Sequence, residues 1–220
     1  LALSEQGVAL VEYLDRGGVR GSRLARAGVE AVEDGGEVAA RFRELSEYLA
    51  GRRTHLDWPL DLRLARSDFH RAVLRAAVEI PFGAVTSYGN LAAELGRPSA
   101  SRAVAQALRW NPVPIVVPCH RIVGSSGALV GYAGSRLTLK QRLLGLEGVA
   151  TTGGDAGARV RRERMYVRSG HDAEYCVPTC GSLASRTLSR LTLFARREGP
   201  EALGLAPCSD CRPDLHPLER

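Results

Sequence analysis

The stretch Pro114–Val123, PIVVPCHRIV, decides how the chain reads. Ile115, Val116 and Val117 form an apolar, β-branched run that stops at Pro118, and Cys119 and His120 follow at once. Such a run predicts a buried strand. Proline cannot donate to a ladder, so the strand is expected to end at Pro118. A thiol and an imidazole are then presented where a buried element gives way to a turn. A thiol is a strong nucleophile only as thiolate, and an adjacent imidazole is the usual means of making one. Taken alone, the pair reads first as a buried cysteine beside a solvated histidine.

The flanks change that reading. On the N-terminal side, Ser67 or Asp68 is placed to cap a helix whose apolar face is Phe69, Val73, Leu74 and Ala77. A second helix is predicted over Tyr88–Leu95, stopped by Gly96, and a third over Ala100–Arg109, capped by Ser99. Two short helices joined by Gly-Arg-Pro read as a helix-turn-helix or as an ordinary helical hairpin. The inner face of the third helix is Val104, Ala107 and Leu108; its outer face is small, with Ser101, Ala105 and a single Arg102. On the C-terminal side, the glycine-rich Gly127–Gly134 is expected to line a pocket. Thr138 is expected to cap a last helix ending on Glu147 and Gly148.

NPVPIVVPCHRIV, preceded by SYGNLA and followed by GY and LEG, resembles the O6-methylguanine-DNA methyltransferase family, densely from about Asp68 to Gly148. The resemblance implies direct-reversal DNA repair. An alkyl group would pass from the guanine O6, and from the O4 of alkylthymine, to Cys119 in a single irreversible turnover, with no cofactor. It implies that His120 takes the thiol proton through a water and that Glu147 orients the imidazole. It assigns Tyr88 to the target phosphate and the guanine ring, Arg102 to the vacated stack and Asn111 to the hinge before the active segment. Tyr132, Ser101 and the backbones of Ile122 and Ala133 would meet the DNA or the base. A guanine inside a duplex hides its O6, so the nucleotide must be everted. In this family the helix-turn-helix enters the minor groove. The implied partner is double-stranded DNA carrying alkylated guanine, met by a monomer.

Residues 1–64 are expected to form a small α/β subdomain, ribonuclease H-like by the same resemblance. LALSEQGVALVEYL suggests a hairpin strand, Val38, Phe42, Leu45 and Leu49 recur at helical spacing, and the alternation from Trp58 suggests a short strand. Residues 65–149 are then a mainly α, DNA-binding, alkyl-acceptor domain. Residues 150–164, with the small and glycine-rich TTGGDAGA, are expected to be a flexible linker.

Residues 165–220 carry a second pattern. Cys176-x3-Cys180 and Cys208-x2-Cys211 are two close pairs. Four such cysteines suit one tetrahedral zinc, which would substitute for a core that so short a segment cannot build. The segment is similar to the zinc domain of the Ada family, of small α+β fold. That likeness implies a second methyl acceptor, Cys176, for methylphosphotriesters in DNA. Val177 stands where those proteins carry arginine after the first cysteine, and a purely structural zinc module is the competing reading.

Composition permits this picture without proving it. The chain has 220 residues and a formal net charge of +6, which suits a polyanion. Of its 30 basic residues only Lys140 is lysine, a bias that coding composition explains as well as DNA binding does. No apolar run is long enough to span a bilayer and no secretory signal is evident, so a cytoplasmic, nucleoid-associated location is expected. Two other classes remain: a non-enzymatic sensor of alkylated DNA, which the presence of Cys119 opposes, and a thiol hydrolase, which the absence of an evident oxyanion loop opposes.

Overall fold

Three helices pack together ahead of the segment that carries Cys119. In the computed structural model, which describes residues 1–13, 24, 32, 35–133, 136–154, 157–183 and 186–218, the residues preceding the helices form a short antiparallel ribbon. Its strands are β1 (Ala2–Ser4) and β2 (Gly7–Leu10). Helix α1 (Glu37–Leu49) follows. It buries Leu45 and Tyr48, while Phe42 and Leu49 are exposed, so its inner stripe is rotated from the expected one. The tyrosine ring does the packing that Phe42 was expected to do. The alternating segment from Trp58 does not become a strand. Only Leu60 bridges Val8, because Pro59 has no N–H for a ladder.

Helix α2 (Asp68–Val78) begins where Ser67 accepts a hydrogen bond from the His70 amide. Strand β3 (Ala84–Ser87) leads directly into α3 (Tyr88–Glu94), whose cap is Ser87 Oγ on the Asn90 amide. Gly96 stops the helix with φ +70°, a conformation that costs glycine nothing. Helix α4 (Ser101–Arg109) starts one residue later than expected, and its N-cap is Ala100 without a side-chain bond, so Ser99 does not cap it. Val73, Leu74, Leu91 and Val104 are wholly buried where α2, α3 and α4 meet. Each such side chain contributes roughly 1.5–3 kcal/mol over leaving it exposed.

The run Ile115–Val117 is not a strand. Pro112, Pro114 and Pro118 remove three donors from the segment, and no ladder forms. Instead the chain closes a tight turn, with Pro114 bridging Val117, the Val117 amide on the Val113 carbonyl at 2.9 Å, and Ile115 at φ +77°. A single 3-10 turn, Cys119–Arg121, then leads into β4 (Ile122–Val123). The last helix of this part, α5 (Leu137–Leu146), begins before Thr138, which therefore does not cap it, and has Glu147 at its C-cap.

The segment expected to be a flexible linker is paired. Strands β5 (Thr151–Thr152) and β6 (Arg159–Val160) are antiparallel, Ala128 bridges Arg159, and the Leu129 amide donates to the Ala158 carbonyl at 2.9 Å. Backbone pairing with the glycine-rich loop, together with burial of Ala158 and Val160, fixes what composition alone would leave free.

The C-terminal segment enters the same sheet. Strands β7 (Tyr166–Ser169) and β9 (Leu191–Phe194) pair with each other, and β9 pairs antiparallel with β3, Ala84 opposite Phe194 and Thr86 opposite Thr192. On its other side β3 runs parallel to β4, giving the order β4-β3-β9-β7. Strands β8 (Glu174–Tyr175) and β10 (Ala206–Pro207) form a small parallel pair, and α6 (Glu198–Ala202) lies between β9 and β10 in the chain. Among the described residues no helix is long and apolar enough to cross a membrane.

Candidate active site and four-cysteine cluster

Cys119 lies at a cavity of about 1250 Å³. Tyr88, Val130, Tyr132 and Ala133 line it on one side, and Ser101, Arg102, Ala105 and Gln106 line it from α4. Cys119 is 9% exposed, and the Asn111 side-chain amide lies 3.3 Å from its sulfur. The same amide group holds the turn beneath it, donating to the Val117 carbonyl at 2.9 Å and accepting from the Val113 amide at 2.9 Å. Asn111 therefore sets the position of the thiol through the loop that the prolines and Ile115 create.

Behind the thiol is a buried polar network. His120 Nε2 is 2.7 Å from Glu147 Oε1, and both side chains are fully buried. Glu147 also accepts from the Tyr48 hydroxyl at 2.5 Å, from the Gly83 amide at 2.9 Å and from the Arg121 guanidinium at 2.9–3.1 Å. Burial alone would raise the carboxyl pKa; His120 and Arg121 outweigh it and hold Glu147 well below the usual range. An ionised carboxylate only accepts, so the imidazole proton sits on Nε2. Nδ1 is then a free lone pair, and among the described residues it has no hydrogen-bond partner. Burial also pushes the His120 pKa down against the pull of Glu147, so the ring is neutral near pH 7. A neutral imidazole with its basic nitrogen unengaged is what a base for the neighbouring thiol requires.

The other expected site residues divide. Tyr88 lines the cavity and donates its hydroxyl to the Val130 carbonyl at 3.1 Å. Tyr132 is buried against His120, ring to ring at 6.4 Å. Ala133 takes φ +40° in the cavity wall. Arg102 is exposed at the rim. Ile122, by contrast, does not line the cavity. It is fully buried in β4, and its carbonyl is taken by Lys140 Nζ at 2.5 Å.

Sequence reasoning missed several contributors. Arg121 and Tyr48 lock Glu147, and the fully buried Lys140 ties the Ile122 carbonyl to that of Val130. Burial pushes the Lys140 pKa down to about 8. Lys140 stood out as the one lysine among so many arginines, which is the sort of signal that could have raised it. Tyr13, from the N-terminal ribbon, meets the Tyr132 hydroxyl at 2.8 Å, and nothing in its sequence context announced that.

Comparison with known proteins places the chain in a family. The model of the 6-O-methylguanine DNA methyltransferase DNA-binding domain matches residues 68–149. A methylated-DNA–protein-cysteine methyltransferase of Mycolicibacterium paratuberculosis is 50% identical over 109 residues, half of this chain and 64% of that protein. One of Methanosarcina acetivorans is 37% identical over 148 residues, 67% of this chain and 90% of that protein. The chain belongs to the methylated-DNA–protein-cysteine methyltransferase family. The crystal structure of the Mycobacterium tuberculosis O6-methylguanine methyltransferase is similar at a TM-score of 0.50 and 40% identity, covering 57% of this chain and 73% of that one. A mixed helix-and-sheet alkyltransferase fold is shared with it.

In this chain the second cluster lies C-terminal to the matched residues. The ligand atoms of Cys176, Cys180, Cys208 and Cys211 all lie within 4.8 Å of one another. That span fits four sulfurs held about 2.3 Å from one ion. Burial, followed by the crowding of neighbouring thiols, pushes Cys176 up, so an assembled set of thiolates calls for a cation. The Val177 amide donates to the Cys211 sulfur at 3.4 Å. Cys211 is the more open of the four, and Cys176 is buried. Neither His171 nor His216 joins the group.

Proposed function

We propose that this protein is a single-use acceptor of alkyl groups from O6-alkylguanine, and from O4-alkylthymine, in double-stranded DNA, with the sulfur of Cys119 as acceptor. The observation that carries the reading is the thiol at a large cavity next to a neutral, buried imidazole oriented by an ionised carboxylate. His120 Nδ1, which has no hydrogen-bond partner among the described residues, takes the thiol proton through a bridging water. The thiolate attacks the alkyl carbon, the carbon–sulfur bond forms as the carbon–oxygen bond breaks, and the electron pair leaves on the guanine O6. Tyr88 donates a proton to the guanine, restoring the normal base, and recovers one from solvent, which takes up the proton held by His120. A thioether is a poor leaving group, so each chain reacts once.

Reaching a cavity of this kind requires the nucleotide to leave the stack. Arg102 would fill the gap; its exposure beside Ser101 on α4 at the cavity supports that role. Asn111 is the hinge between α4 and the active turn. Tyr132 and Ala133 form the base-facing wall. The protein acts as a monomer on DNA, and the alkyl transfer itself uses no cofactor. We read residues 1–64 as a ribonuclease H-like subdomain, residues 65–149 as the acceptor domain, and residues 165–220 as an Ada-like module.

Cys176, Cys180, Cys208 and Cys211 would hold one zinc ion, which keeps thiolates deprotonated at neutral pH and ties the C-terminal strands together. The finer reading makes Cys176 a methyl acceptor for DNA methylphosphotriesters; its burial favours the structural role. One assay tests all of this. The protein is mixed with an O6-methylguanine duplex, its intact mass is measured and the modified peptide is mapped. One methyl on the Cys119 peptide supports the proposal, and binding without any mass gain supports a sensor instead. A methylphosphotriester duplex tests Cys176 in the same way.

A further inference from the structure

The cavity at Cys119 is not walled by the family-matched residues alone. Thr187 and Ser189, far beyond residue 149, line it too, next to Tyr88 and Gly89 and near Ser126. We infer that the 187–190 turn is a second DNA-gripping wall, binding the phosphodiester backbone beside the everted nucleotide. The inference rests on the reading of Cys119 as an acceptor from duplex DNA, and it adds a contact surface that the matched domain lacks.

Three observations carry it. The first is rigidity. Ser87, the residue before Tyr88, donates its hydroxyl to the Leu188 carbonyl at 2.7 Å, and β9 continues from this turn into pairing with β3. A Cβ on Gly89 would sit 3.2 Å from the Ser189 Cβ, tighter than an ordinary contact, so glycine here lets the turn pack closely. The wall is therefore fixed to the same strand and helix that carry Tyr88. The second is chemistry. Thr187 is exposed, Ser189 is half-buried, and the exposed Ser125 and Ser126 line the cavity as well. Hydroxyls and amides of this kind are common partners of phosphate oxygens and fix register without reading sequence. The third is charge. Arg186 and Arg190 bracket the turn and are exposed. Arg162 donates to the Arg186 carbonyl at 3.1 Å, and Arg159 donates to the Ser126 carbonyl at 3.5 Å. Arg186 also donates to Ser169 Oγ, and among the described residues Asp172, 3.7 Å from Arg186, is the acidic group paired with this set. The excess is positive, and a polyanion is its complement.

The test compares Thr187→Asp, Ser189→Asp and Arg186→Ala with the wild-type chain, full length and metal-loaded. Two second-order rates of Cys119 methylation are read by mass, one with an O6-methylguanine duplex and one with O6-methyl-2′-deoxyguanosine. The expected result is a fall of about tenfold or more in the ratio of duplex rate to nucleoside rate for the two Asp variants. For Arg186→Ala, the log–log salt dependence of duplex binding should flatten by about one. An unchanged ratio, including an equal fall in both rates, overturns the inference, as does an unchanged salt slope. Affinity for an undamaged duplex, measured by anisotropy on the same variants, keeps the two claims apart. A wild-type chain that accepts no methyl defeats the proposed function, whereas loss of duplex affinity in the variants still sustains the wall.

Discussion

Replacing Glu147 by glutamine preserves size and removes one charge from the buried network. The carboxylate accepts hydrogen bonds from His120, Arg121, Tyr48 and the Gly83 amide, and its partners are themselves buried, Arg121 at 7% exposure and His120 at 0%. A neutral amide leaves the guanidinium with the Ile80 carbonyl as its remaining acceptor outside the network and places an N–H₂ against donors. Breaking a buried pair from one side costs roughly 3–5 kcal/mol, which for a chain of this size is about 6–20 °C in Tm. The imidazole also loses the acceptor that fixes its proton on Nε2. By analogy with triads in which the acid is neutralised, the methyl-transfer rate should fall by roughly 10³–10⁴-fold. The pH dependence follows from the direction of the shift. Glu147 is depressed in the folded state below its ordinary 4.5, so its stabilisation is complete above that pH and is lost as pH falls toward the folded value. The glutamine variant should lack that acid limb. Thermal melts at several pH values, with single-turnover rates read by mass, check both effects. A variant that melts like the wild type and transfers methyl at the same rate would refute the role given to the network.

Other outcomes follow from the same geometry. Burial depresses His120 below 6.5, so a neutral base is retained above that value, and the single-turnover rate should fall only as pH drops below about 6.5; a fall beginning near pH 8 would contradict it. Asn111→Ala removes three contacts around the active turn and should cost about 1–3 kcal/mol in denaturant melts, with a larger loss in transfer rate than in DNA affinity. Arg102→Ala should slow reaction with a duplex while sparing reaction with the free nucleoside, as a residue that fills the stack requires. Cys176 pairs with Val167 of β7, and β7 joins β9, β3 and β4 in one sheet, so Cys180→Ser or chelation should lower the Tm and also slow methylation of Cys119. A metal analysis well below one equivalent per chain would remove the cluster's assigned role.

Much of the site could be read from local pattern, and the reasons for the exceptions are physical. Ser67 capping α2 and the Val104, Ala107, Leu108 stripe of α4 depend on neighbours a few residues apart, and they formed as the spacing predicts. Ile115–Val117 had the composition of a strand, but three nearby prolines left no ladder to join, and Asn111 supplied the closure of a turn instead. Glu147 meets His120 only through the fold, so the pairing came from family resemblance and not from spacing. Arg121 was hidden for the same reason: an arginine after a histidine looks solvated until a carboxylate 26 positions away is brought to it. The union of β9 with β3 was invisible because a short alternating strand names no partner, and glycine-rich composition made the preceding segment look free.

The most direct test of the central claim is the stoichiometry of transfer. With excess O6-methylguanine duplex, the wild-type chain should gain one methyl, mapped to Cys119, release one repaired guanine and then stop, while Cys119→Ser should gain none and repair none. Repair of many duplexes by one chain, or undiminished repair by the serine variant, would contradict it.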